Sequence, residues 1–112
     1  MDAKAIVLNF NNCINARDLP GLAECMTDDH CFIDSAGNRV QGKEQCLRAW
    51  NGFFAAFPDY QNVFETISVE GNEVTISGYS TCSVPELAGP VIWIAQVEAG
   101  KLSLWQIIDP TN

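Results

Sequence analysis

Two spacings of apolar residues divide the chain. Through residue 57 they recur at i, i+3, i+4 and i+7, the rhythm of a buried helical stripe; beyond it they alternate, the rhythm of strands. Residues 3–16 carry Ala3, Ile6, Val7, Phe10, Cys13 and Ile14 on one such stripe, with Asp2 placed to cap its start. Asp18-Leu19-Pro20 reads as a second cap followed by proline in a first turn. It opens a short helix to about residue 25, with Leu19, Leu22 and Met26 as its buried side. Asp28, Asp29 and His30 interrupt the pattern as a solvated turn, and a first strand is expected over 30–35. On that strand Phe32 and Asp34 face one way, Cys31 and Ile33 the other, and His30 shares the Phe32 side.

Ala36-Gly37-Asn38 is a turn, and 39–41 a short extended piece before Gly42. Residues 43–57 form the most strongly patterned helix, with Cys46, Leu47, Trp50, Phe53, Phe54 and Phe57 on one stripe. Pro58 stops it, because the residue before proline avoids helical geometry. Four strands follow, over 61–70, 73–83, 91–99 and 102–109. Gly71-Asn72 and Ala99-Gly100 make tight hairpins, and Val84 to Pro90 is a longer loop bracketed by prolines. Helices first and strands last predict an α+β fold, an antiparallel sheet covered on one face. A curved sheet closed by an aromatic helix would enclose a pocket.

Composition narrows the picture. The 112 residues are 47% hydrophobic and 18% charged, which fits one folded domain spanning 1–112. The formal charge is −8, and Lys4, Arg17, Arg39, Lys43, Arg48 and Lys101 are scattered, which argues against nucleic acid and anionic membranes. The longest apolar run, Val91 to Ala95, is far too short to span a membrane, and the first residues lack a secretory pattern. An odd count of five cysteines without a CxxC pair predicts reduced, mostly buried thiols in a cytosolic protein. The single histidine has no partner at ligand spacing, so neither metal nor cofactor is expected.

Asp34 is the residue that suggests chemistry. Buried beside Trp50 and Phe54, a carboxylate would lose solvation, which disfavours its charged form and makes a general base useful near neutral pH. Alternatively, Asp34 caps the turn that follows it. Asp109, on the Trp105–Ile107 face of the last strand, is a second acid at the pocket mouth or a strand-end residue before Pro110. Cysteine catalysis is discounted, because Cys31 faces away from His30.

Four segments carry a resemblance: NARDLPGL, MTDDHCFIDSAG, VQGKEQCLRAWNGFFAAFPDY and GKLSLWQIIDP, in that order. Over nearly the whole chain they resemble the nuclear-transport-factor-2-like (NTF2-like) superfamily, closest to its SnoaL-like and ketosteroid-isomerase-like branches. The resemblance implies a cone-shaped half-barrel around an apolar pocket. It also implies cofactor-independent isomerase or cyclase chemistry on a small hydrophobic molecule, with Asp34 where ketosteroid isomerases keep their proton-shuttling aspartate. Their oxyanion-hole positions fall at Phe10 and Trp93, which cannot supply those groups, so steroid isomerisation itself is not implied. Asp109 loosely matches the final-strand aspartate of SnoaL-type cyclases. Phe10, Phe32, Trp50, Phe54, Trp93 and Trp105 would wall the pocket. The alternative is a non-catalytic binding or dimerisation module. Superfamily members often pair through the outer sheet face, here Tyr79, Ile92 and Ile94.

Overall fold

Two aspartates start the N-terminal helices. In the computed structural model, which describes residues 2–110, the Asp2 carboxylate accepts the Ala5 N–H at 2.8 Å and opens α1 (Ala3–Ala16). Asp18 accepts the Gly21 N–H at 3.0 Å and opens α2 (Leu19–Cys25), with Pro20 in the first turn. Each bond satisfies an N–H that the helix itself leaves unpaired. Arg17, between the helices, takes a left-handed φ of 58°.

The first strand, β1 (Met26–Ile33), begins four residues earlier than the pattern predicts. Met26 already pairs with Leu102, and a register shift before Cys31 leaves Asp28 and Asp29 exposed within the strand. The polar pair thus occupies an irregularity in the ladder rather than a turn. The strand also stops early, because Asp34 exchanges backbone bonds with the turn: its N–H reaches the Asn38 carbonyl and its carbonyl the Gly37 N–H, both 3.0 Å. Then come β2 (Arg39–Gln41) and α3 (Lys43–Ala56), joined at Gly42, whose φ of 98° suits glycine. Phe57 closes α3 as its C-cap.

Four strands complete the chain: β3 (Gln61–Glu70), β4 (Glu73–Thr81), β5 (Gly89–Glu98) and β6 (Lys101–Ile108). One short 3-10 turn, Pro85–Leu87, lies in the loop before β5. β4 ends before Ser83 because the Ser83 N–H turns aside to the Asp59 carboxylate at 2.9 Å. The six strands lie in the order β2-β1-β6-β5-β4-β3, antiparallel throughout except for β1 against β6. The sheet is curved and does not close on itself. One source of curvature is the register shift in β3 between Phe64 and Thr66. Gly78 faces it from β4, so close to the Val63 carbonyl that no side chain fits.

Alternation along β4 turns Val74, Ile76 and Ser80 inward, and α1 lies across that face with Ile6, Val7, Phe10 and Ile14. Trp93 and Trp105 fill the centre without solvent exposure; Phe10 meets Trp105 at 4.8 Å and Phe64 meets Trp93 at 4.9 Å between ring centroids. Among the described residues, no helix is long and apolar enough to cross a membrane.

Candidate functional site

Between α3, the end of β1 and the loop before β5 the surface opens into a recess of about 580 Å³, adjoining a deeper space of about 260 Å³. Phe32, Asp34, Phe53, Tyr60 and Ile107 line both; Trp50, Val40 and Ala49 join the deeper part, and Glu86, Leu87, Val91 and Asp109 the outer one. The strand register explains the grouping. Phe32 pairs with Trp105 and Ile33 with Gln106, so Asp34 leaves β1 level with the end of β6, where Ile107 and Asp109 lie. The helical stripe of α3 brings Trp50 and Phe53 over them, with Phe32 and Trp50 5.7 Å apart.

Asp34 is half-buried in the wall and also holds the turn. Its Oδ1 accepts the N–H groups of Ala36 at 3.0 Å and Asn38 at 2.9 Å, and its Oδ2 accepts Asn38 Nδ2 at 3.1 Å. Wall residue and turn cap are therefore one group. Asp109, half-buried before Pro110, stands in the outer recess.

The expected aromatic wall divides. Phe32 and Trp50 line the recess, whereas Phe10, Phe54, Trp93 and Trp105 line neither part of it. Phe10, Trp93 and Trp105 are fully buried in the central core, packed on one another and on Phe64. Phe54 packs against Trp50 and beneath the Arg17 guanidinium, 5.5 Å from its ring centroid. Alternation gives every inward residue of the sheet the same signature, so it cannot separate the filled centre from the open end.

His30 corrects the expectation of a solvated turn: it is fully buried and lines neither recess. Its Nδ1 lies 2.6 Å from the Leu102 carbonyl, which can only accept, so Nδ1 carries the proton. Its Nε2 has no hydrogen-bond partner. Burial pulls the imidazole below its ordinary pKa, against the opposing effects of the Leu102 carbonyl and Asp29.

Tyr60 was not singled out by the sequence, although it extends the stripe of Phe53 and Phe57 past Pro58. Its hydroxyl lies 3.0 Å from Ser80 Oγ, which donates to Asn62 Oδ1 at 2.8 Å. Asn15 in turn fixes Asn62, accepting its N–H and donating to its carbonyl, both at 2.9 Å. Burial raises the Tyr60 hydroxyl above the usual tyrosine range, partly countered by Ser80. The loop residues Leu87 and Val91 were missed too; prolines marked the loop but not the direction in which it folds.

All five cysteines are free thiols. Burial pushes Cys13 and Cys46 up to about 11, which keeps them protonated and unreactive at neutral pH. Among the described residues, no three His, Cys, Asp or Glu side chains cluster so as to hold a metal ion.

Helices packed on a curved, open sheet, with a recess at one end, define an α+β protein of the NTF2-like class. The SnoaL-like domain profile matches residues 7–105, and the chain belongs to that family. Three solved structures share the fold. A candidate polyketide cyclase from Sinorhizobium meliloti is 19% identical with a TM-score of 0.84, covering 96% of this chain and 99% of its own. A ketosteroid-isomerase-like protein from Catenulispora acidiphila, solved with trimethylamine, is 16% identical with a TM-score of 0.82 over 93% and 84%. An epoxide hydrolase of M. tuberculosis is 17% identical with a TM-score of 0.82 over 95% and 80%. A comparison with proteins of curated function returns no match.

Proposed function

We propose that the protein binds a small, largely apolar molecule in the recess. The observation that carries this reading is the wall itself: Phe32, Trp50, Phe53, Tyr60 and Ile107 surround a space that the core aromatics leave unfilled. The trimethylamine complex of a fold relative supports a small-molecule role. Titration with N-phenylnaphthylamine, an uncharged dye that brightens in apolar surroundings, tests it. Wild type should enhance its fluorescence saturably, and Ile107→Trp, which fills the shared part of the recess, should abolish the effect while melting normally. A wild type that leaves the dye dark would refute the reading.

The second reading is catalytic, with Asp34 as general base in cofactor-independent proton transfer. Its favouring observation is that Asp34 lines both parts of the recess. Three hydrogen bonds occupy the carboxylate, which can accept about four, so Oδ2 retains room for a substrate proton. Relatives that include a candidate polyketide cyclase and an epoxide hydrolase support a chemical role. Deuterium exchange at the carbon beside the carbonyl of tetralone, followed by NMR, reads the activity directly. Wild type should accelerate exchange and a folded Asp34→Asn should not; equal rates would remove Asp34 from this role.

We place the chain in the cytosol as one domain working as a homodimer. Tyr79 and Val63, 39% and 37% exposed, lie paired on the outer sheet face near half-buried Ile92 and Ile94. Ile94→Lys should convert the dimer to a monomer in sedimentation; a wild-type monomer at micromolar concentration would contradict the assignment.

A further inference from the structure

The rings of the recess are set at steep angles to one another. Phe32 and Trp50 meet at 62°, Trp50 and Phe53 at 86° with centroids 5.9 Å apart, and Phe53 and Tyr60 at 88° with centroids 4.8 Å apart. Rings turned in this way can offer faces as well as edges to the space they share. Ring faces carry the negative end of the aromatic quadrupole. Walls of this kind hold ammonium groups, whose charge is diffuse and whose substituents are apolar.

The charges around the rings have one sign. Asp34, Glu86 and Asp109 line the outer recess, and among the described residues no lysine, arginine or histidine lines either part. Arg17, the cation over Phe54, is engaged by four backbone carbonyls. With a formal charge of −8 on the whole chain, a carboxylate or phosphate ligand would enter against local and global repulsion alike.

We propose that the ligand of the recess is an organic cation, a protonated or quaternary amine on an apolar ring body. The body packs against Phe32, Trp50, Phe53 and Tyr60, and the nitrogen lies toward Asp34, Glu86 and Asp109. The inference rests on the ligand-binding reading above and adds the sign of the ligand's charge.

Calorimetric titration of the full chain at neutral pH with three molecules of matched body tests it: aminotetralin as the cation, tetralol as the neutral form, tetralin carboxylate as the anion. Displacement of N-phenylnaphthylamine reports binding in the recess. Aminotetralin should bind roughly tenfold more tightly than tetralol, with the carboxylate weakest. High salt should erode the preference for the amine. Glu86→Gln, on an exposed loop, should weaken aminotetralin several-fold and leave tetralol unchanged. If tetralol or the carboxylate equals the amine, the charge assignment falls and the recess stands as a ligand site. If none of the three displaces the dye, the charge assignment falls, while the reading beneath it is decided by whether the dye itself binds.

Discussion

Arg17 Nη2 donates to the Pro58 carbonyl at 2.7 Å and so joins the end of α1 to the end of α3. The same side chain reaches Phe57 at 3.3 Å, and Nη1 reaches Ile14 and Asn15 at 3.2 and 3.1 Å. A cation at two helix C-termini also complements the carbonyl ends of both. Arg17→Ala should therefore lower stability by roughly 2 kcal/mol in urea unfolding. Arg17→Gly should recover roughly 1 kcal/mol of that loss, because glycine accepts the φ of 58° without strain. Equal losses in both variants would mean that the backbone conformation contributes nothing.

His30 makes stability depend on pH in a known direction. The folded protein holds the imidazole below its ordinary pKa, so the unfolded chain takes up the proton first as pH falls. The stabilisation is complete above about pH 6.5 and is lost as pH falls from there through the lower, folded value. Between pH 7 and 5 the wild type should lose up to about 1.4 kcal/mol per pH unit relative to His30→Gln. Parallel curves for the two proteins would show that the buried ring is not the titrating group.

Gly78→Ala tests the close approach of β4 to β3. The added methyl would press on the Val63 carbonyl oxygen, a backbone atom that cannot swing aside. A loss of roughly 3 kcal/mol or more is expected, read as a collapse of the thermal transition or as insoluble expression. Gly52→Ala, where the new methyl meets nothing within 4 Å, is the control and should raise helix stability slightly. A Gly78→Ala protein as stable as wild type would show that the two strands can separate locally at no cost.

Thiol chemistry should follow burial. Cys13 and Cys46, raised to about 11, expose on the order of one thiolate in a thousand at about pH 8. Cys82 is only half-buried, at the surface beside Asp59. Mass spectrometry after brief alkylation should find Cys82 modified first, with Cys13 and Cys46 intact until denaturant is added. Early labelling of Cys13 would mean that α1 and α2 part readily.

The elements were legible because each follows one period. The helix from Lys43, the capped starts at Asp2 and Asp18 and the hairpins at Gly71 and Ala99 are where the pattern puts them. The site was legible only in part. Asp34 and Phe32 share a strand face, which the pattern states, and Trp50 and Phe53 share a helical stripe. Nothing local separates Trp93, which fills the core, from Ile107, which lines the recess; that depends on how the sheet bends and where α1 crosses it. His30 misled for a related reason. Two neighbouring aspartates suggested solvent, whereas the Leu102 carbonyl, contributed from the far end of the chain, draws the ring inside.

Asp34 is at once the fastening of the turn before β2 and a surface that a bound molecule would touch. Occupancy of the recess should therefore be heard in the backbone. The amide protons of Ala36 and Asn38, tethered to its carboxylate, form a built-in reporter whose NMR frequencies should move when the site fills. With the protein labelled with nitrogen-15, the reporter needs no knowledge of the occupant, so an extract of unknown metabolites can be screened by watching two peaks.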